Sequence, residues 1–142
     1  MMRSIEFEGI RVSYSVRGRG KPIVLLHGYL ETSEVWDPLA EMLEGKFRII
    51  AVDLPGHGDS EVRGETHTMD FLAGAVREVI RNSGEDKVMI VGHSLGGYVT
   101  LAFVELFSEL LSGYVLFHSH PHADTPEAIA RRNREIAVVR AG

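Results

Sequence analysis

The sequence predicts an α/β fold, a doubly wound and mostly parallel sheet with an antiparallel hairpin at its N-terminal edge. Four short runs, at 23–26, 49–52, 88–91 and 114–117, are apolar without alternation. Strands of that texture are covered by helices on both faces. The stretches between the runs can be helical, which gives three strand–helix–strand units in series. Residues 5–16 instead alternate apolar and polar with period two, as strands with one buried face do.

In chain order, Ile5 and Phe7, then Ile10, Val12, Tyr14 and Val16, form the two arms of the hairpin, with Glu8 and Gly9 between them. Arg17-Gly18-Arg19-Gly20-Lys21 reads as a flexible turn. Pro22 then opens the next strand, where no ladder N–H is needed. Val35, Leu39, Met42 and Leu43 share the face of a first helix, with Ser33 as its cap and Pro38 within its first turn. Thr68 caps a second helix, whose buried stripe is Leu72, Val76, Val79 and Ile80 and whose outer face carries Arg77, Glu78 and Arg81. It ends at Asn82-Ser83-Gly84. From Tyr98 to Phe107 the third helix is apolar almost all round, which predicts a buried element. A last helix over about 127–139 carries Arg131, Arg132 and Arg134, with Arg140 just beyond; these read as a solvated face.

Composition excludes several classes of function. The 142 residues suffice for a single domain with a sizeable core. They are 44% hydrophobic and 25% charged, with a mean hydropathy of zero, as in soluble globular proteins. A formal charge of −5 without a basic concentration argues against nucleic acid as a partner. Aliphatic runs of about four residues exclude a membrane span. The absence of cysteine and of an N-terminal apolar core points to the cytoplasm.

Chemistry concentrates at the ends of three predicted strands. Gly92-His93-Ser94-Leu95-Gly96 forms a strand-to-helix turn that presents Ser94 at its tip. Side chains two residues before or after that serine would collide with the neighbouring strand or helix; both positions are glycine, and Gly97 removes a third side chain. His27-Gly28-Tyr29 follows the first parallel strand, and Asp53-Leu54-Pro55-Gly56-His57-Gly58-Asp59-Ser60 follows the second. Open α/β sheets bind their ligands at such carboxyl ends.

Together these motifs resemble the α/β-hydrolase superfamily, in its single-domain serine esterase, lipase and C–C hydrolase branch, from about Ile5 to Phe117. The resemblance implies that Ser94 is a nucleophile forming an acyl-enzyme with a small-molecule ester, thioester or activated C–C substrate. It also implies that the backbone N–H groups of Tyr29 and Leu95 form the oxyanion hole. A serine at this position argues against the dehalogenase and epoxide-hydrolase branches, which attack with a carboxylate. No cofactor is implied. His118, His120 and His122 with Asp124 could suggest metal ligands, but Pro121 breaks the strand and no metal is expected. Asp53 anchors its loop, Gly56 and Gly58 supply backbone angles, and His27 and His93 bond locally.

In this superfamily the triad runs serine, acid, histidine. No histidine follows His122, and Asp124, an acid just past the strand next to the elbow, has no other support as the triad acid. The expectation is a domain truncated after its sixth strand and first lid helix, an incomplete α/β-hydrolase fold with little activity by itself. Residues 114–117 would then form a bare apolar sheet edge prone to self-association. The other reading is a non-catalytic α/β module that binds a partner or small ligand through the same pocket.

Overall fold

A computed structural model describes residues 2–142. The period-two stretch forms β1 (Met2–Phe7) and β2 (Ile10–Gly18), paired antiparallel from Met2↔Ser15 to Phe7↔Ile10. Glu8 and Gly9 both take positive φ, 47° and 83°. That is the twist a two-residue hairpin turn needs to match its strands.

The four apolar runs become β3 (Lys21–Leu26), β4 (Phe47–Val52), β5 (Val88–His93) and β6 (Leu111–Phe117). The strand order is β1-β2-β4-β3-β5-β6, antiparallel across β1, β2 and β4 and parallel beyond. The chain leaves β3 toward β4 on one side, and leaves β5 toward β6 on the other. The crevice between the carboxyl ends of β3 and β5 is therefore the topological switch point, where such sheets hold ligands.

Successive strand residues face opposite layers. Val24, Leu26, Ile50, Val52, Val88 and Ile90 pack with Leu72, Val76, Val79 and Ile80 of α2 (Met69–Asn82) and with Val99 and Phe103 of α3 (Leu95–Phe107). Ile23, Leu25, Ile49 and Ala51 pack on the other face against Trp36 and Ala40. The helix α2 has its expected form, with the Thr68 hydroxyl accepting from the Phe71 N–H and Gly84 at φ 77° past its end.

Three helical expectations are corrected. Thr32, not Ser33, caps the first segment, which opens as a 3₁₀ turn (Ser33–Trp36) before α1 (Asp37–Leu43). A 3₁₀ turn takes three residues where an α turn takes 3.6, so the faces rotate. Trp36 and Ala40 face the sheet with Leu39 and Leu43 of the expected face partly buried beside them, while Val35 and Met42 are exposed. The helix α3 buries only one side, leaving Leu106 exposed. The last helix, α4 (Pro126–Ala141), buries no residue, yet Arg132 turns inward from the solvated face expected for it. Among the described residues, no helix is long and apolar enough to cross a membrane.

Candidate active site

Ser94 joins β5 to α3 at φ 49°, ψ −108°. A non-glycine residue held there stores about 1–3 kcal/mol of strain, so its surroundings must fix it. They do so from three sides. The Ser94 N–H donates to the Phe117 carbonyl (3.1 Å), and the Ser94 carbonyl accepts from the Gly97 N–H and the Ser119 hydroxyl (both 2.9 Å). The Gly96 N–H donates to the His27 carbonyl (3.1 Å), tying the turn to the loop after β3. A Cβ at Gly92 would lie 2.3 Å from the Gly96 carbonyl oxygen, and one at Gly96 would lie 2.4 Å from that of Leu26.

The loop after β3 is pinned by His27 and Glu31. The His27 ring is fully buried; Nδ1 donates to the Gly28 carbonyl (2.7 Å) and Nε2 accepts from the Leu54 N–H (3.0 Å). Burial pushes its pKa below the ordinary value, so the ring is a neutral strut with both nitrogens engaged. One Glu31 oxygen accepts from the Gly28 N–H (2.7 Å) and from Nδ1 of His93 (2.9 Å). Partial burial alone would raise the Glu31 pKa, but these two hydrogen bonds and the nearby histidines outweigh it and hold the carboxyl below its ordinary value.

The loop after β4 has the structural role expected of it. Buried Asp53 accepts from the Ser33 N–H (2.8 Å) and the Asp59 N–H (3.0 Å). Gly58, at φ 52°, runs so close that a Cβ would lie 2.4 Å from that carboxylate.

Ser94, Tyr29 and Leu95 line one cavity of about 170 Å³, whose other wall is Arg132, Glu135 and Ile136 of α4. Leu95 is the first residue of α3, and Tyr29 stands in the loop beside it. Neither residue's N–H meets a protein acceptor among the described residues, and no side chain there hydrogen-bonds the Ser94 hydroxyl. A shallower cavity of about 500 Å³ lies on the far side of Arg132, between Tyr98 and residues 121–124. The Arg132 guanidinium grips Asp124 with two hydrogen bonds (2.5 and 3.1 Å) and lies 6.0 Å from the centre of the Tyr98 ring. That hydrogen bonding outweighs slight desolvation and holds the Asp124 pKa below its ordinary value. His120 and His122 stack on each other at 5.6 Å, and no group of three or more ligating side chains is arranged for a metal among the described residues.

The structure therefore gathers the three residues singled out from the sequence and adds Glu31, His93 and Arg132, which sequence reasoning left out of the site. No local signal would have found the Glu31–His93 pair, whose members lie 62 residues apart.

A serine on a strained strand-to-helix turn, at the switch point of a mostly parallel sheet, defines the class of protein: an α/β hydrolase fold. The chain belongs to the alpha/beta hydrolase fold family, whose profile matches residues 21–133. It is similar to the Arabidopsis thaliana protein PHYLLO, chloroplastic (34% identity over 123 residues, 81% of this chain and 7% of that protein). It is also similar to a soluble epoxide hydrolase of a Corynebacterium species (39% identity over 95 residues, 67% of this chain and 33% of that protein). Among solved structures, a thermophilic esterase from Thermogutta terrifontis superposes with a TM-score of 0.90 at 31% identity, over 99% of this chain and 53% of that one. The chain thus spans about half the length of that structure and a third or less of these two sequence relatives.

Proposed function

We propose that this chain carries the nucleophile and the oxyanion donors of a serine hydrolase acting on a carboxylic ester or related acyl or C–C bond. The observation that carries the reading is that Ser94, Tyr29 and Leu95 line one cavity, while the N–H groups of Tyr29 and Leu95 meet no protein acceptor among the described residues. The Ser94 oxygen attacks the carbonyl carbon, and its proton passes to a base. The carbonyl electrons move onto oxygen, where the two N–H groups stabilise the charge; each such donor is worth about 2.7–4 kcal/mol. Collapse of the intermediate expels the leaving group and leaves an acyl-enzyme, which water then cleaves. Among the relatives, one is named an epoxide hydrolase and another an esterase. An alcohol at the tip of the elbow, where a carboxylate nucleophile would otherwise stand, supports the esterase chemistry. Tyr29, Leu95 and Ile136 give the cavity apolar walls suited to a small acyl group.

The proton is the remaining requirement. No side chain accepts a hydrogen bond from the Ser94 hydroxyl among the described residues, so an external base should accelerate attack. The chain is treated with a fluorophosphonate probe with and without added imidazole, and adducts are mapped by mass spectrometry. Expected is one adduct at Ser94, forming faster as imidazole rises and absent from Ser94→Ala. No adduct at Ser94 under either condition, or equal labelling of the Ser94→Ala variant, overturns the reading.

A further inference from the structure

We infer that Glu31 is a positioning residue that sets the spacing between the two oxyanion donors. The inference rests on the reading of Ser94 as nucleophile. The two N–H groups belong to separate loops, one after β3 and one after β5, so something must fix the distance between them. A single carboxylate oxygen does this. It takes the N–H of Gly28, directly before Tyr29, and the Nδ1 hydrogen of His93, directly before Ser94 and two residues before Leu95. A further main-chain hydrogen bond, from the Glu31 N–H to the Gly28 carbonyl (3.3 Å), folds the loop back on itself and aims the carboxylate across the crevice.

Close packing surrounds this contact. A Cβ on Gly28 would lie 2.8 Å from the Glu31 oxygen and 3.0 Å from His93 Nδ1, so the loop closes on the pair only because that position is glycine. The His93 ring cannot swing away freely. The rings of Trp36, Phe117 and His118 surround it, with centres 6.3, 5.8 and 6.2 Å from its own. Both side chains are mostly shielded, with 31% and 24% of their surface exposed, so water competes weakly for the bond. The second link between the loops, Gly96 N–H to His27 carbonyl, restrains the far side of the elbow. Without the Glu31 carboxylate, the Tyr29 side keeps the His27 bond to the Gly28 carbonyl but loses its link to His93 of the elbow. An oxyanion hole is sensitive to such a loss, because its donors must meet the charged oxygen at about 2.7–3.1 Å.

The test compares Glu31→Ala with Glu31→Gln, since glutamine keeps an acceptor oxygen at the same reach. Fluorophosphonate labelling with imidazole is followed over probe concentration, separating half-saturation from the maximal rate. Glu31→Ala should lower the maximal rate tenfold or more and leave half-saturation within twofold. Glu31→Gln should return the rate to within threefold of the unchanged chain. A Glu31→Ala variant that labels at the unchanged rate, or a loss that glutamine does not restore, overturns the inference. A second measurement does not depend on Ser94 reacting. In amide NMR spectra, Glu31→Ala should displace the Tyr29 and Leu95 signals together, with Glu31→Gln leaving both near their original positions. Displacement of Tyr29 alone overturns the inference even if Ser94 labels normally. Absence of labelling in the unchanged chain removes the nucleophile reading and leaves the clamp to be judged by the NMR result.

Discussion

At the scale of single residues, the elbow depends on what is missing from three side chains, and the three glycines are not equivalent. At Gly92 and Gly96 an added Cβ would strike backbone oxygens at 2.3–2.4 Å, and backbone cannot be cut away. At Gly97 the obstacle is a side chain: an added Cβ would lie 2.1 Å from the Ser119 hydroxyl oxygen and 2.4 Å from the Ser119 Cβ. The clash at Gly97 is therefore removable, and Gly97 has no positive φ that would itself oppose alanine. Gly97→Ala should destabilise the chain by about 1–3 kcal/mol, the usual range for overpacking. Ser119→Gly alone should lose about 1 kcal/mol, for the hydrogen bond from its hydroxyl to the Ser94 carbonyl. The double variant should be more stable than Gly97→Ala, because the obstacle has gone and alanine suits a helix better than glycine. Urea denaturation of the four proteins checks this; strictly additive losses would show that Ser119 is not the obstacle.

At the scale of elements, what could be read from the sequence depended on how local the determining contacts are. The whole of α2, from the Thr68 cap through the Leu72, Val76, Val79 and Ile80 stripe to Gly84, was legible, because each signal acts within a turn or two. The three members of the proposed catalytic group were legible for a related reason: each sits just past a strand that announces itself by composition. The face of α1 was legible only for Leu39 and Leu43; Val35 and Met42 were misplaced because the 3₁₀ turn before Asp37 shifts the helical phase and nothing in that stretch encodes the shift. The role of Arg132 was not legible, since it follows from a partner eight residues away in a loop. That pairing bears on how α4 sits beside the Ser94 cavity. The helix buries no residue; Arg132 is clamped on Asp124 in the loop before the helix and reaches the Tyr98 ring of α3, which gives α4 a hold on the domain. Arg132→Ala should speed amide hydrogen exchange across residues 126–141 severalfold and leave the thermal midpoint nearly unchanged. Equal exchange in both proteins would mean that other contacts hold the helix.

At the scale of the whole molecule, the two rims of the sheet differ. The β1 rim carries Arg3 and Glu6 and is mostly exposed and polar, a composition that discourages pairing with another strand. The β6 rim has no charged residue between Leu111 and Phe117, and Tyr114, Val115 and Phe117 are each nearly half exposed. Among the described residues its only strand partner is β5, so one row of backbone N–H and carbonyl groups faces outward. Two copies related by a two-fold axis can pair these rims antiparallel, satisfying both rows and covering the aromatic residues. The chain should therefore self-associate as its concentration rises, with light scattering approaching twice the 15.7 kDa mass of one chain. Val115→Lys should shift the mass back toward one chain, because lysine on an open edge opposes pairing without touching the buried core. The same substitution should leave Ser94 labelling unchanged, since Val115 lines neither cavity beside it. A monomeric mass for the unchanged chain at millimolar concentration would show that this rim does not pair. An associated mass that Val115→Lys fails to reduce would place the contact elsewhere, with the exposed Ile129, Ile136, Val138 and Val139 of α4 as the next surface to charge.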